Sequence, residues 1–323
     1  MNEIIKRYKI LAIIFSVMAT VIIVAHFILE TVSHQYATVG LPVIGGIIAV
    51  AAVICWILYG IEMKKISGKQ RTDRQSEEVF GEWLNEFEPL TKIAAELVYA
   101  EPGSGKFSKF GGAPVVPNEF EWPTENGRPI PFLLQLDFSE INPHGSLKNF
   151  PTSGLLYVFV EEVVNDENEI GHTKKFLFFE SAKALVCAKE PHGLQTKYKE
   201  IFVASNYIKT YPDTDDCDEA LNIFCARPHG GMDDSYHSLC CENMERHLVG
   251  GWPSHLQNGG FMKECMESDD GNWVLFLQIK SEYSKDGVGD FMWGDSGVIY
   301  LYICEKDLIA RNFDNVKLDM QCY

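Results

Sequence analysis

The chain has 323 residues and a formal net charge of −17. From residue 75 onward it carries twenty Lys/Arg against forty-one Asp/Glu, or about −21. Nucleic-acid binding requires Lys/Arg patches that neutralise phosphates, so we expect no nucleic-acid partner for this acidic part. Its charge suits a basic protein partner instead, because opposite charges steer association.

Two apolar segments near the N-terminus predict transmembrane helices. Residues 10–29 contain one strongly polar side chain, His26, and residues 39–61 contain no charged one. At ~1.5 Å per residue, segments of this length cross the ~30 Å hydrocarbon core of a bilayer. The short connection between them predicts a two-helix hairpin over residues 1–63, with both chain ends on one side of the membrane.

The basic residues around this hairpin predict its orientation. Three Lys/Arg precede the first span, five follow the second within residues 64–74, and none lies in the connection. Positive flanks stay in the cytoplasm, so we expect both termini and the rest of the chain there. The alternative, a cleaved signal peptide and one anchor, fits less well. The first apolar block is too long for a signal peptide, and no small-x-small cleavage site follows it.

A polar, basic linker over residues 64–78 leads into a domain over residues 79–323. Within residues 79–99, apolar side chains recur at helical spacing, which predicts one or two amphipathic helices broken near Pro89. From Phe107 onward, Gly and Pro punctuate short runs of Leu, Val, Phe and Tyr, as is typical of strands. Residues 187–241 break this pattern and are interpreted as a connecting region.

Three motifs occur twice in the same order: Gly-Gly-x-Pro, apolar-Leu-Gln and Gly-apolar-apolar-Tyr. In both copies the Gln and the later Gly are nineteen residues apart. The repeat predicts a duplicated β-rich unit. We place its first half at about residues 107–186 and its second half at about residues 247–323. The paired segments are 110–114 with 249–253, 132–137 with 275–280, and 154–160 with 297–303.

The repeated glutamines, Gln135 and Gln278, lie within apolar strands. A buried amide is costly unless it is hydrogen-bonded, so each must have polar partners. Our hypothesis is that the two side chains bond near a pseudo-twofold axis between the halves.

A wider motif set comprises Phe110-Gly-Gly-x-Pro114, Trp122-Pro123, Gln135, Gly250-x-x-Pro253, Gln257, Gln278, Met292-Trp-Gly-Asp-x-Gly297, Phe313-Asp314 and Gln321-Cys322. This set resembles the YwqG-like family of bacterial proteins over roughly residues 79–323. The resemblance implies an α+β fold with flanking helices around a duplicated, mostly antiparallel sheet, but no reaction, cofactor or catalytic residue. Members occur in gene neighbourhoods of bacterial toxins, which makes toxin immunity one expected role. The hairpin departs from the family's simpler members, which are soluble, and we expect it to lie in the bacterial inner membrane.

Several aromatic and acidic residues are candidates for a ligand or partner site. Asp295, in Met292-Trp-Gly-Asp-Ser-Gly297, is a candidate acid, base or metal carboxylate beside Trp293; the alternative is a turn that packs Trp293 beneath it. Trp122 and Trp252 are candidates to line a groove between the halves, together with Gln135 and Gln278.

Residues 229–247 are rich in His, Asp and Cys, and His237, Cys240 and His247 are weak candidates for metal ligands. Cys240 or Cys241, with His237 or His247, is a candidate nucleophile. An acidic neighbourhood disfavours the required thiolate, however. We therefore expect neither a metal nor a cofactor.

Two functions remain open. The first is a non-enzymatic, membrane-anchored binding module for a basic protein, with toxin immunity as one role. The second is an enzyme or small-ligand sensor that uses the cleft between the halves.

The topology is testable with reporter fusions after Arg74. We expect a reporter that works only in the cytoplasm to be active there, and a reporter that requires export to be silent. Activity of the exported reporter alone would show that the predicted orientation is wrong.

Overall fold

A ten-stranded antiparallel sheet organises the part of the chain that the structure describes. The structure is a computed structural model. It describes residues 81, 83–101, 104–164, 170–181, 184–226, 232–268, 271–282 and 291–323, all of which lie in the unit Phe80–Tyr323. The hairpin and linker predictions lie outside the described residues. Among those that are described, no helix combines the length and apolar character that crossing a membrane requires.

Fourteen strands and five helices are described. The strands are β1 Lys92–Tyr99, β2 Lys109–Phe110, β3 Val115–Pro117, β4 Thr124–Glu125, β5 Arg128–Pro129, β6 Phe132–Asp137, β7 Leu155–Val164, β8 Ile170–Phe179, β9 Leu185–Cys187, β10 Ile201–Thr210, β11 Leu248–Gly250, β12 Trp273–Lys280, β13 Val298–Cys304 and β14 Lys317–Gln321. The helices are α1 Phe138–Ile141, α2 Asp218–Cys225, α3 Met232–Cys240, α4 Phe261–Ser268 and α5 Glu305–Ala310. A helical segment at 83–87 runs into a 3-10 turn, Glu88–Leu90.

The strand order is symmetric about its centre: β14-β13-β12-β11-β1-β10-β2-β6-β7-β8. The two central strands are exchanged between the halves. β1 precedes the first half in the chain but pairs with β11 of the second, and β10 precedes the second half but pairs with β2 of the first. The strand that precedes each half in the chain therefore completes the sheet of the other half.

Two sequence expectations about the centre of this sheet are wrong. Residues 92–99, predicted as helix, form strand β1, and the region 187–241, predicted as a connection, contains strand β10. β1 pairs with β10 along its whole length and buries Ala94, Ala95 and Leu97. A strand buried on both faces loses the alternation that identifies strands, and its apolar positions then fit helical spacing equally well.

The main hydrophobic core contains side chains from both halves. Phe150 of the first half stacks on Phe276 of the second, with ring centres 6.0 Å apart, and Phe276 stacks on Phe313 at 5.2 Å. Such pairs contribute about 0.5–1.5 kcal/mol beyond the area they bury. The halves therefore share this core.

In the first half, the Gln and Tyr of the repeated motifs bond the backbone of Val115, the residue after Pro114. The Val115 amide donates to Gln135 Oε1 at 2.9 Å, and Gln135 Nε2 donates to the Phe107 carbonyl at 2.8 Å. The Tyr157 hydroxyl donates to the Val115 carbonyl at 2.7 Å. Both polar backbone groups of Val115 are thus bonded by side chains from strands β6 and β7.

The second half makes the same bonds. The Ser254 amide donates to Gln278 Oε1 at 2.9 Å, Gln278 Nε2 donates to the Arg246 carbonyl at 3.1 Å, and the Tyr300 hydroxyl donates to the Ser254 carbonyl at 2.9 Å. Gln278 Nε2 also donates to the Asn243 carbonyl at 2.8 Å. The hypothesis that the two glutamines bond near an axis between the halves is therefore wrong, because each holds the loop of its own half.

Two glycines of the motifs have no room for a side chain. Gly111 has φ +54°, and a Cβ atom there would lie 2.3 Å from the Lys199 carbonyl oxygen. At Gly297, a Cβ would lie 2.3 Å from the Gln321 carbonyl oxygen. The motif glycines are required because neighbouring backbone approaches them closely.

The glutamine bonds predict a stability difference. Gln278→Leu leaves the Ser254 amide and two carbonyls without a hydrogen-bond partner. Each unpaired buried group costs about 1–3 kcal/mol of stability. We expect the free energy of unfolding in urea to fall by at least about 2 kcal/mol. The matched control is Gln195→Leu, since among the described residues this exposed amide bonds just the carbonyl of Gly193 in its own loop. Equal stability of the two variants would contradict the role of Gln278.

Candidate functional site

The six residues predicted to form a ligand or partner site do not converge. Gln135 and Gln278 are fully buried and bonded to their own loops. The tryptophans belong to three different hydrophobic clusters: Trp293 to the main core, Trp252 to the cluster beneath α2, α3 and α4, and Trp122 to the outer cluster of the first half.

The tryptophans and Asp295 have structural surroundings. Trp122 Nε1 donates to the Ile130 carbonyl at 2.9 Å, and Trp252 Nε1 donates to the Leu90 carbonyl at 2.7 Å. Trp293 is 1% exposed. Asp295 is exposed in the turn before β13, and its carbonyl accepts from the Tyr323 amide at 3.2 Å. Of the two interpretations of this motif, the structure supports the turn with a packed Trp293.

The three metal candidates do not converge, but one pair of nucleophile candidates is in contact: Cys241 Sγ lies 3.6 Å from His237 Nε2. His237 is exposed, Cys240 is buried and donates to the Pro212 carbonyl at 3.3 Å, and His247 is buried beside Glu282. Among the described residues, no group of three or more His, Cys, Asp or Glu is arranged to hold a metal ion. Burial raises the pKa of the Cys240 thiol, and burial together with Asp213 raises that of Cys241. Both thiols therefore stay protonated at neutral pH, which disfavours nucleophilic chemistry.

A cavity of about 270 Å³ opens where the two halves meet. The start of β1, the loop 146–150 of the first half, the start of β12 and helix α5 all contribute to its wall. The apolar wall of the cavity includes Leu147, Phe150, Val274, Leu275 and Leu308. Its polar lining residues include Lys92, Lys148, Asn149, Asn272 and Glu305.

Glu305 is the one carboxylate among the described residues that line this cavity, and its charge is compensated. The Asn149 amide donates to its Oε1, and the Asn272 amide donates to its Oε2 at 3.0 Å. Lys148 Nζ lies 3.7 Å from Oε1. The carboxylate therefore holds loop 146–150 against the second half.

Lys92 contributes a second positive charge to the wall. Its Nζ lies 3.4 Å from the centre of the Trp252 ring, where a cation is attracted to the π-face. Within the described residues, this ammonium makes no hydrogen bond or ion pair. Burial lowers the pKa of Lys92 to about 8, although the charges of Asp216 and Glu305 oppose the shift. The group is thus a desolvated cation without a carboxylate partner.

A buried hydrogen-bonded pair, His255 and Asp216, gave no motif in the sequence. His255 Nε2 and Asp216 Oδ2 are 2.6 Å apart, and Asp216 Oδ1 accepts from the Gly260 amide at 3.0 Å. Burial opposes protonation of His255, but the bond to Asp216 outweighs it and raises the His255 pKa. The two residues are distant in sequence, so the only signal was the acidic run at 213–219. The pair fixes loop 254–260.

Glu282 forms a cluster with His247 and Lys280, apart from the cavity and from the Asp216–His255 pair. It lies 2.9 Å from His247 Nε2 and 2.7 Å from Lys280 Nζ. Burial alone would raise its pKa, but the hydrogen bonds from His247, Lys280 and Tyr99 lower it to about 2. Because the folded-state pKa is below the ordinary value of 4.5, Glu282 stabilises the fold above pH 4.5. That contribution is lost as pH falls towards 2.

Glu282→Gln tests this linkage. We expect the variant to be less stable than the parent at neutral pH, and the difference to shrink as pH falls from about 5 to about 2. Urea unfolding across this range measures it, with the exposed Glu264→Gln as control. A difference that is constant with pH would show that Glu282 does not titrate as described.

Comparison with curated proteins gives no match. A family model matches residues 108–322, and its description is "Domain of unknown function (DUF1963)". The match begins after β1, although β1 is one of the two central strands. It covers about two thirds of the chain and nearly all of the sheet. The protein therefore belongs to this family of domains of unknown function.

Proposed function

We propose that the protein is a membrane-anchored cytoplasmic binding module that recognises a basic protein. The observation that carries the proposal is the charge of the helical layer formed by α2, α3 and α4. These helices pack against one side of the second half through a shared hydrophobic cluster. Its members include Cys217, Ala220, Tyr236, Cys240, Met262, Cys265, Trp273 and Tyr302.

The outer surface of the helical layer, taken together with the adjoining segments 213–217 and 241–247, is acidic. The two Lys/Arg residues described in these helices and segments are paired: Lys263 Nζ lies 2.7 Å from Asp218, and Arg246 lies 3.0 Å from Glu96. Most of the acidic charge therefore faces solvent without compensation. The exposed acidic residues are Asp215, Asp218, Glu219, Glu242, Glu245, Glu264 and Glu267.

Such a surface recognises a partner by charge complementarity. A single-sign field steers an oppositely charged protein to the face and raises its association rate. The interaction weakens as salt shortens the Debye length, which is about 10 Å at 0.1 M and about 3 Å at 1 M. Steep salt dependence is thus the signature of this binding mode.

In the cell, this surface would act at the membrane. The predicted hairpin holds the domain at the cytoplasmic face of the bacterial inner membrane, and acidic charge keeps the domain away from anionic lipid. A basic toxin that reaches the cytoplasm is a partner of the required chemistry, in line with the resemblance to the YwqG-like family. The equivalent bonds of the two halves support an origin by internal duplication.

Charge reversal on the helical layer tests the proposal. The tagged, detergent-solubilised protein is used to capture partners from its native host at low and high salt. We expect one basic protein to be retained at low salt and released at high salt. The triple variant Glu242→Lys, Glu245→Lys and Glu264→Lys should lose it at low salt.

The matched control reverses three exposed glutamates of the first half: Glu119→Lys, Glu121→Lys and Glu125→Lys. Both triple variants change the net charge equally, so a specific surface is distinguished from overall charge. Equal loss in both variants, or retention in both, would contradict a partner site on the helical layer.

The second candidate, a small-ligand sensor, is favoured by the cavity between the halves. It uses none of the residues of the helical layer, so the two functions are compatible in one protein. Among the described residues, the cavity brings together polar and apolar side chains but no paired nucleophile and base. Binding without catalysis is therefore the simpler role for it.

A further inference from the structure

We propose that the cavity at the junction of the two halves binds a small organic carboxylate, with its anionic group against Lys92 and its apolar part against Phe150 and Leu308. The inference rests on the second candidate function and does not depend on the helical layer.

The charged residues that line the cavity favour binding of an anion. Two lysines and one carboxylate line the cavity, and the amides of Asn149 and Asn272 and the ammonium of Lys148 already compensate that carboxylate, Glu305. Lys92 has the Trp252 ring on one side and no acceptor among the described residues. A desolvated cation is stabilised by an ionic partner, and a ligand carboxylate would supply one. This local positive charge stands out in a domain that is otherwise acidic.

The apolar wall is formed in advance of any ligand. Leu147 and Leu308 are buried, and Phe150 stacks on Phe276. The side chain of Asn142 accepts from the Leu147 amide at 2.9 Å and donates to the Pro151 carbonyl at 3.0 Å. A preformed wall lowers the entropic cost of binding.

A second contact between the halves holds the same loop at Asn149. Arg311 Nη1, just after α5, donates to the Asn149 carbonyl at 2.8 Å. Loop 146–150 is therefore held to the second half by Arg311 and Glu305. A volume of about 270 Å³ is below the ~300–1,000 Å³ of sites for drug-sized ligands, so the cavity suits a small acid with a short aliphatic or aromatic body.

Binding is measured by calorimetry or ligand-observed NMR on the purified full chain, with phenylacetate and hexanoate as probes. Their uncharged counterparts, phenylacetamide and hexanamide, match them in size. We expect saturable binding of at least one acid and at least tenfold weaker binding of its amide, because a charge-assisted hydrogen bond is replaced by a neutral one.

Three variants locate the site. Lys92→Met keeps the length of the side chain and removes its charge, and should weaken binding of the acid at least tenfold. Ser146→Trp adds a bulky group at an exposed position of the cavity rim, where it should block binding without disturbing the core. Lys175→Met removes an exposed charge from β8 and should bind like the parent.

The outcomes separate this inference from the partner proposal. The Glu242/Glu245/Glu264 triple variant should bind the acids normally, since those residues do not line the cavity. No binding of either acid at up to about 10 mM, equal binding of acid and amide, or unchanged binding in folded Lys92→Met and Ser146→Trp would overturn the inference. Failure of partner capture alone leaves these measurements unaffected.

Discussion

The backbone of one residue in each half constrains the rest of the structure. Val115 and Ser254 follow the Gly-Gly-x-Pro turns, where neither residue has a strand partner for both of its polar groups. A glutamine accepts from each amide, and a tyrosine donates to each carbonyl. Because a buried unpaired group costs about 1–3 kcal/mol, the turn, the Gln strand and the Tyr strand have to occur together. This explains why three motifs that are distant in sequence repeat as a set.

The exchange of β1 and β10 makes the two halves one folding unit. Each central strand precedes one half in the chain and pairs with a strand of the other, so neither half completes its sheet alone. The same arrangement brings the start of β1, loop 146–150 and helix α5 together around the cavity. The helical layer, by contrast, is described only on the second half. The halves are thus alike in their strand framework and different in the surfaces that they present.

The repeated strands could be predicted from the sequence, but the cavity and the Asp216–His255 pair could not. The equal spacing of Gln135–Gly154 and Gln278–Gly297 correctly indicated strands β6, β7, β12 and β13. β1 was missed because a strand buried on both faces shows no alternation, and β10 was missed because the polar pair Ser205-Asn206 interrupts its apolar run. The glutamine partners were misassigned because bonds from a side chain to the backbone of a loop leave no periodic signal. The cavity joins five segments that are distant in sequence, and the Asp216–His255 pair depends on loop positions that no pattern specifies.

Amide hydrogen exchange at Val115 and Ser254 tests the central claim most directly. Both amides lie beside turns, where exchange is ordinarily fast, yet each donates to a glutamine that is itself fully buried. We expect both to exchange at rates close to those of the amides in the sheet core, and each to exchange faster only when its own glutamine is replaced. Fast exchange of these amides in the parent protein would contradict the account, because the side-chain bonds would then not hold the two loops.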